Sequence, residues 1–269
     1  MINNIRKYNY IEEYINTIRA KGGYSFSYSD LINEFDVSTA AINLALQRLK
    51  AHKAIAQVRK GFYVILPPEY ESKGILPPVL FIDDLMKSIH KSYYIAVLSA
   101  ATFYGASHQA PMEFFVVTSG DALRDIKTQN LKINFLIKKN WSEESVMKKN
   151  SDAGYINVST PELTALDLLY YSGIISLNRA YTILQELYTA LKPSALYKIA
   201  SDFPQVSAIQ RLGYLLDVYL KNAKLSDALQ KVLSNKKIYY IPLSCHKLRK
   251  GKTNSKWKII INTEVEGDL

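Results

Sequence analysis

The most constraining feature of this chain is a series of three short apolar stripes within residues 1–66, with few residues between them. Ile11, Ile15 and Ile18 recur at helical spacing and predict a first helix, which a pair of glycines should end. A second helix is predicted to start at Ser27, because Asp30 follows at the spacing of a capping box. Such short helices must pack against one another to be stable.

A three-residue turn, Asp36-Val37-Ser38, separates the second helix from a third. Ser38 is a favoured N-cap residue, and we expect it to start that helix. Its stripe is formed by Ile42, Leu46 and Leu49, which return at i, i+4 and i+7. The three helices are therefore predicted to enclose one small core.

Two β-prone runs follow at residues 55–58 and 62–66, joined by Arg59-Lys60-Gly61. The loop has hairpin length and offers a glycine for positive φ. Two helices, a short turn, a third helix and a hairpin with a basic tip follow the order of a winged helix-turn-helix. We therefore expect residues 1–67 to form a winged helix-turn-helix domain that binds double-stranded DNA.

The third helix carries base-reading groups on the side opposite its stripe. Asn43 and Gln47 can form bidentate hydrogen bonds with adenine, and Lys50 can reach guanine or phosphate. The helix start favours phosphate, and nearby cations neutralise it. The predicted DNA contacts are Ser38, Thr39, Asn43, Gln47, Arg48, Lys50, Lys53, Arg59 and Lys60. The alternative is a protein-interaction module on which these side chains are merely solvated.

The net charge of +10 is unevenly distributed over the 269 residues. Residues 221–258 contain 11 lysines and arginines and 1 acidic residue, whereas residues 67–220 are nearly neutral. A block of this kind favours a polyanionic partner. The predicted contacts of that partner are Lys247, Arg249, Lys250 and Lys252. The alternative is a lysine-rich surface that serves solubility.

Length and composition exclude several classes of protein. At ~150 residues per domain the chain corresponds to about two domains. Its longest apolar run, at residues 93–101, is shorter than the ~18 residues of a membrane span, and the N-terminus lacks the apolar core of a secretory signal. The single cysteine, Cys245, excludes a disulfide framework and a multi-cysteine zinc site, and we expect it on the surface. We therefore predict a cytoplasmic protein with no membrane partner.

Beyond the first domain, residues 68–78 are predicted to form a linker and residues 79–269 a larger mixed α/β domain. The predicted fold class is α+β (mixed α/β), with the N-terminal winged helix-turn-helix followed by this domain. Predicted helices span residues 81–88, 92–104, 162–171, 177–191, 194–200 and 206–220. Predicted strands span residues 113–118, 132–137, 155–158, 238–243 and 257–261.

Several polar residues of the second domain stand in apolar sequence. Ser159 and Glu162 have the spacing of a capping box. Asp167 is expected to pair with a buried arginine such as Arg211 or to hydrogen-bond a loop, and His108 is expected to order its turn. The candidate functional or structural polar residues of this domain are His108, Gln109, Glu162, Asp167 and Arg211.

Glu162, Asp167 and Lys138 also form a carboxylate pair with a lysine, as in metal-dependent nucleases. A metal-dependent nuclease is therefore an alternative function. The chain has no HxxxH pair, no glycine-rich phosphate loop and no GxSxG motif. We therefore predict no catalytic residue, no metal and no cofactor.

Five stretches carry a resemblance to a known family. They are residues 59–65 (RKGFYVI), 93–101 (YYIAVLSAA), 105–109 (GASHQ), 159–168 (STPELTALDL) and 210–216 (QRLGYLL). In order and spacing the chain resembles the AbiEi antitoxin family of abortive-infection, type IV toxin–antitoxin systems. The resemblance extends over nearly the whole chain to about residue 220.

The resemblance implies an antitoxin of a phage-defence system with two domains and no catalytic residues. The winged helix would bind inverted repeats in the promoter of its own operon and repress transcription. The C-terminal domain would neutralise a nucleotidyltransferase-like toxin encoded next door, and the family neutralises its toxins without a stable complex. Inverted repeats favour two protomers paired on DNA, whether the free chain is a monomer or a dimer.

Overall fold

The computed structural model describes residues 10–106 and 113–267. It confirms a mixed α/β fold and contains the elements expected in the N-terminal region, with one additional short strand. In chain order these elements are α1 (Tyr10–Ala20), β1 (Ser25–Ser27), α2 (Tyr28–Glu34), α3 (Thr39–Ala51), β2 (Ile55–Arg59) and β3 (Phe62–Ile65).

Local sequence sets the boundaries of these helices. The Asp30 backbone N–H donates to Ser27 Oγ at 3.1 Å and the Ser27 N–H donates to Asp30 Oδ2 at 2.7 Å, so the predicted capping box is confirmed. The Ala41 N–H donates to Ser38 Oγ at 3.3 Å, which makes Ser38 the N-cap of α3 as predicted. After α1 the chain turns at Gly22, whose φ of +75° favours glycine.

Strand β3 lies between two hydrophobic cores. Strands β1, β3 and β2 form an antiparallel sheet in that order. Tyr63 and Ile65 belong to the core that β3 shares with α1, α2 and α3, whereas Phe62 and Val64 belong to a core shared with the C-terminal region. Because successive side chains of a strand point to opposite faces, β3 is buried on both sides and connects the two regions.

Residues 68–78 add to this connection. They contain the short helix α4 (Pro68–Glu71). Ile75 and Leu76 are buried in the same core as Phe62 and Val64. The N-terminal and C-terminal regions are therefore in direct apolar contact.

A six-stranded sheet forms the centre of the C-terminal region. Its strands are β4 (Tyr93–Ile95), β5 (Phe114–Thr118), β6 (Ile126–Lys127), β7 (Lys132–Ile137), β8 (Val146–Ser151) and β9 (Gly154–Ser159). The helices of this region are α5 (Ile82–Ser88), α6 (Val97–Ala101), α7 (Pro161–Tyr170), α8 (Leu177–Leu187), α9 (Pro193–Ser201), α10 (Val206–Tyr214) and α11 (Ala223–Ser234). A separate small sheet contains β10 (Ile241–Pro242), β11 (Lys252–Asn254) and β12 (Ile259–Ile261).

The strand order of the large sheet is β6-β7-β5-β4-β9-β8. The pairs β5–β7 and β4–β9 are parallel and the other pairs are antiparallel. Tyr94 and Val117 pack on the side of helices α6 to α11, while Ile95 and Val116 pack on the side of α5 and the hairpin. Both faces of the sheet are thus covered. In the part of the chain that is described, no helix has the length and apolarity to cross a membrane.

The prediction of one helix over residues 92–104 is wrong. This segment begins as strand β4, and the chain then turns at Val97, with φ of +43°, into the short helix α6. Because β4 lies inside the sheet and is buried on both faces, its sequence is continuously apolar. Such a run does not distinguish a buried strand from a buried helix.

Other boundaries also differ from the predictions. The helix predicted over residues 206–220 is interrupted, since α10 ends at Tyr214 and the chain continues as a π-helical turn over Leu215–Tyr219. Strand β8 and helix α11 are not among the predicted elements. The buried stripe of α11, which includes Leu225 and Leu229, lies within the lysine-rich segment, where the charge pattern favoured an exposed surface. Strands β10 and β12 are shorter than predicted.

The small sheet is fixed to α10. Gly213 lies so close to the Trp257 ring that a Cβ atom would come within 2.0 Å of it. Trp257 Nε1 donates to Asp217 Oδ2 at 2.8 Å. Gln210 Nε2 donates to the carbonyl oxygens of Tyr239 and Trp257, both at 2.9 Å. These contacts hold the C-terminal segment in a defined position.

Candidate nucleic-acid interface

Helix α3 has one buried and one exposed face. Ile42, Leu46 and Leu49 are buried in the N-terminal core. Asn43 and Gln47 are exposed, as base contacts must be. The other predicted contacts that are exposed are Ser38, Thr39, Arg48, Lys50, Lys53 and Lys60.

The sequence analysis missed an apolar group on this face. Leu44 is 47% exposed and precedes Gln47 by three residues, so the two are neighbours on the helix surface. Ile32 and Val37, near the turn between α2 and α3, are also exposed. An apolar side chain on a helix that lies in the major groove can contact a thymine methyl group, so Leu44 joins the predicted contacts of this face. The available signal was that Leu44 falls outside the buried stripe of its helix.

The tip of the hairpin is held against the start of α2. Gly61 has φ of +76°, and its carbonyl oxygen accepts a hydrogen bond from the Tyr28 backbone N–H at 2.7 Å. The register of β2 against β3 shifts between Gln57 and Arg59. Arg59 is half-buried and Lys60 is exposed. The turn therefore presents its two cations from a fixed backbone.

The buried polar residues of the C-terminal region form a different kind of cluster. Lys138 follows β7, and its Nζ forms an ion pair with Asp167 Oδ1 of α7. The Tyr94 hydroxyl of β4 donates to Asp167 Oδ2 at 2.8 Å. All three side chains are buried. Of the two expectations for Asp167, the pairing with Arg211 is therefore wrong, because Asp167 binds Lys138, which follows β7, and Tyr94 of β4 instead.

Aromatic rings close around the Lys138 ammonium group. The ring centroids of Phe203 and Tyr170 lie 4.4 and 5.2 Å from Lys138 Nζ. Burial raises the pKa of the Asp167 carboxyl, and Lys138 and Tyr94 oppose this shift. Burial also raises the pKa of Tyr94, so its hydroxyl stays a donor. The cluster thus neutralises its charges internally.

Glu162 has a structural partner of its own. One carboxylate oxygen accepts a hydrogen bond from the Lys192 backbone N–H at 2.9 Å. The predicted capping box of Ser159 and Glu162 is wrong, because Thr160 is the N-cap of α7. The Ser159 hydroxyl instead lies 2.7 Å from the Thr164 hydroxyl.

The arrangement gives no support to the nuclease alternative. The carboxylates of Glu162 and Asp167 have separate partners, and the cavity beside Lys138 has a volume of about 50 Å³. This is room for only a few water molecules. Among the described residues, no three His, Cys, Asp or Glu side chains are grouped so that they could hold a metal ion. Cys245 is exposed, as expected.

Arg211 binds main chain rather than a carboxylate. Its Nε donates to the Pro242 carbonyl oxygen at 3.1 Å, which ties β10 to α10. Burial lowers the pKa of Arg211 from its usual value. The other two predicted polar residues, His108 and Gln109, lie outside the described residues.

The basic loop between β10 and β11 is held by hydrogen bonds. Asn262 Nδ2 donates to the carbonyl oxygens of Ser244 at 2.9 Å and Leu248 at 3.1 Å. Arg249 Nη2 donates to the Tyr240 carbonyl oxygen at 2.8 Å. Leu248 is 86% exposed. The four predicted polyanion contacts, Lys247, Arg249, Lys250 and Lys252, are also exposed.

Comparisons with known proteins give evidence on family and fold. The family model of the AbiEi antitoxin C-terminal domain matches residues 94–218. The crystal structure of the RV2827C protein from Mycobacterium tuberculosis is similar, with a TM-score of 0.64 and 15% sequence identity over 91% of this chain and 88% of that chain. At this identity the likeness concerns the fold alone. No curated protein matches the chain.

The matched segment runs from β4 to the π-helical turn after α10. It contains the Lys138–Asp167 pair, Glu162 and Arg211, so the buried polar residues belong to the family domain. A domain of this family supports an antitoxin role in a toxin–antitoxin system. Residues 94–218 match the family model of the AbiEi antitoxin C-terminal domain, and this match supports an AbiEi-type antitoxin.

Proposed function

We propose that the chain is an antitoxin that represses its own operon. Residues 1–67 act as a winged helix-turn-helix that binds inverted repeats in the promoter, and residues 79–269 neutralise a nucleotidyltransferase-like toxin, with residues 68–78 between them. The observation that carries the DNA-binding part is the exposed polar face of α3, with Asn43 and Gln47 held on a helix whose other face is buried. The family domain supports the antitoxin part.

Chemistry favours DNA over a protein partner for this face. Asn43 and Gln47 offer paired donors and acceptors that match adenine, and Leu44 offers a contact for thymine. Phosphate contacts come from Ser38 and Thr39 at the helix start and from the surrounding cations. These cations are Arg48, Lys50, Lys53, Arg59 and Lys60.

Two protomers bind one operator, because a repeated inverted half-site requires a pair of reading helices. The chain works in the cytoplasm as a regulator without a catalytic step of its own. The basic loop with Lys247, Arg249, Lys250 and Lys252 provides a further contact for a polyanion. Co-expression with the toxin in a growth assay tests neutralisation separately from DNA binding.

The decisive experiment is fluorescence anisotropy of the purified chain. It is titrated onto DNA from upstream of its own gene and onto a scrambled duplex, at two salt concentrations. We expect a specificity ratio of ~10³ or more that persists at ~150 mM salt. Equal, salt-sensitive binding to both duplexes would mean that positive charge alone accounts for the DNA affinity, and this result would contradict a sequence-specific repressor.

The hairpin tip is tested in the same assay. Replacing Arg59 and Lys60 by alanine should weaken binding to all sequences and reduce the salt slope by ~1–2 units, since ~0.9 counterions are released per phosphate contact. Lys148→Ala is the matched control, because Lys148 is exposed on β8 at the opposite edge of the large sheet from β6. An unchanged slope in the Arg59/Lys60 variant would remove the hairpin tip from the interface.

A further inference from the structure

The basic loop between β10 and β11, residues 243–251, exposes an apolar side chain. Leu248 is 86% exposed, the largest fraction among the large hydrophobic side chains that the structure describes. It stands between Lys247 and Arg249, and Lys250 follows. Single exposed leucines are common on protein surfaces, so the surroundings of Leu248 decide what it indicates.

Two exposed tyrosines lie beside this loop. Tyr239 is 61% exposed and Tyr240 is 42% exposed. Arg249 Nη2 donates to the Tyr240 carbonyl oxygen at 2.8 Å, which places the loop next to the tyrosine pair. Tyrosine combines an apolar ring with a polar hydroxyl and is enriched where a lipid bilayer meets water. The surface around Leu248 therefore offers apolar groups besides the leucine.

The segment that contains the tyrosines and the loop is basic throughout. Residues 236–252 contain six lysines and arginines and no aspartate or glutamate. Among the described residues, no ion pair joins these cations to a carboxylate. Lys247 Nζ donates to the Thr263 hydroxyl at 2.8 Å and Arg249 donates to a carbonyl oxygen, so neither positive charge is neutralised. An anionic partner is therefore favoured.

The backbone around Leu248 is held in place. Its carbonyl oxygen accepts hydrogen bonds from Asn262 Nδ2 at 3.1 Å and from the Lys250 backbone N–H at 2.8 Å. Earlier in the loop, Cys245 Sγ donates to the Ser172 carbonyl oxygen at 3.4 Å. Because the loop is fixed in this way, the leucine side chain stays in solvent unless a partner covers it.

We propose that this loop binds the surface of an anionic lipid bilayer, with Leu248 inserted between the headgroups and the neighbouring cations on lipid phosphate. The proposal rests on the polyanion contact proposed above for the basic loop, and it names the partner of that contact. The binding is peripheral and reversible, since one inserted side chain and a few cations give a modest membrane affinity.

The apolar side chains favour lipid over nucleic acid. Phosphate on either partner would attract the cations, but a nucleic-acid backbone offers Leu248 no apolar surface. At a bilayer, the leucine leaves water while the tyrosine rings and the lysines stay at the level of the headgroups. This contact needs no spanning helix, so the proposal departs from the prediction of no membrane partner, which considers only spanning segments.

The test measures binding of the full-length chain to lipid vesicles by co-sedimentation. Vesicles that contain the anionic lipid phosphatidylglycerol are compared with vesicles of phosphatidylcholine alone. We expect binding to the anionic vesicles only, and we expect Leu248→Ser to weaken it by ~10-fold or more, because an apolar group is lost from the interface. Tyr155→Ser is the matched control, since it removes an exposed apolar side chain from β9 of the large sheet.

The contribution of charge is tested with the same vesicles. Lys250→Ala should weaken binding by ~5-fold, since each cation close to an anionic surface adds to the affinity. Lys148→Ala removes an equal charge from an exposed position on β8 and should have little effect.

A fluorescent variant keeps the test independent of any loss of fold. Leu248→Trp should retain binding, and its emission should shift to shorter wavelength when anionic vesicles are added, because the indole ring enters the interface. The wild-type chain provides the background from Trp141 and Trp257. An emission that stays unchanged would mean that residue 248 remains in water, and this result would overturn the insertion.

The outcomes separate this inference from the proposed function. No binding to anionic vesicles, or equal binding by Leu248→Ser and wild type, overturns the lipid contact and leaves promoter binding through α3 untouched. If Lys250→Ala instead lowers the salt slope of DNA binding and leaves vesicle binding unchanged, the loop is a nucleic-acid contact and the lipid proposal fails. Equal binding of wild type to promoter and scrambled DNA would contradict the repressor function without changing the vesicle result.

Discussion

The two regions of this molecule place their polar residues in opposite ways. In the N-terminal region, α3 buries an apolar stripe and keeps Asn43 and Gln47 in solvent. In the C-terminal region, Lys138, Asp167 and Tyr94 are drawn into the core, where they bind one another. Both sets stand out in the sequence as polar groups beside apolar ones.

A polar residue beside apolar residues in the sequence can therefore indicate either a buried structural contact or an exposed binding group. A buried charge must have a partner inside the protein, so its presence reports how elements are held together. An exposed polar side chain on a rigid helix has unused hydrogen-bonding capacity, which a ligand can take up. The comparison therefore predicts that substitutions in the two sets separate stability from binding.

The largest effect is expected from Asp167→Asn. The substitution leaves the Lys138 ammonium group buried beside an amide, so we expect a loss of about 3–5 kcal/mol in the free energy of unfolding. Urea denaturation followed by circular dichroism measures it. The double variant Lys138→Met/Asp167→Leu should recover much of the loss, since it removes both charges together. A single variant as stable as wild type would mean that water reaches the pair.

For Asn43→Ala and Gln47→Ala we expect the opposite result, a loss of DNA affinity with little change in stability. Each should cost about 1–3 kcal/mol of binding at particular base pairs. The free energy of unfolding should change by less than about 0.5 kcal/mol, because both side chains are exposed. Asn150→Ala, at an exposed position on β8, is the matched control. Anisotropy with single-base operator variants measures the effect, and equal losses on scrambled DNA would exclude base reading.

The smallest effect is expected at Ser38, which caps α3 and is also a predicted phosphate contact. Ser38→Ala removes the N-cap of α3 and should cost about 1 kcal/mol of stability. Ser38→Asp keeps a capping oxygen but places a negative charge near phosphate, so stability should hold while DNA affinity falls. Thermal melting and anisotropy on the two variants distinguish these roles. If Ser38→Asp binds DNA as wild type does, the start of α3 lies away from the phosphate backbone.

Local patterns allowed much of the N-terminal region to be predicted. The Ser27–Asp30 capping box and the stripes of α1 and α3 depend on residues at most a few positions apart, and all are present. The apolar stripe of α11 is equally local, but helix α11 was not predicted, because the surrounding lysines favoured an exposed basic surface. Its apolar positions at i, i+3 and i+4 were a sufficient signal.

Contacts between distant segments could not be predicted in the same way. Asp167 and Lys138 are 29 positions apart, and only the sheet and α7 bring them together. The prediction of the N-cap of α7 was wrong for a different reason. Ser159 and Thr160 are both good capping residues, and which of them caps the helix depends on where β9 ends.

The position of β3 has a consequence for how this chain is made. A ribosome releases residues 1–67 first, and their helices can collapse around Tyr63 and Ile65 at once. Phe62 and Val64 on the other face wait for partners that include Phe81, Tyr93 and Ile133. Until those segments emerge, the nascent chain carries an uncovered apolar strand. The N-terminal region is therefore completed only after the C-terminal region has begun to fold, so we expect a prematurely terminated product to aggregate rather than to persist as a free-standing domain.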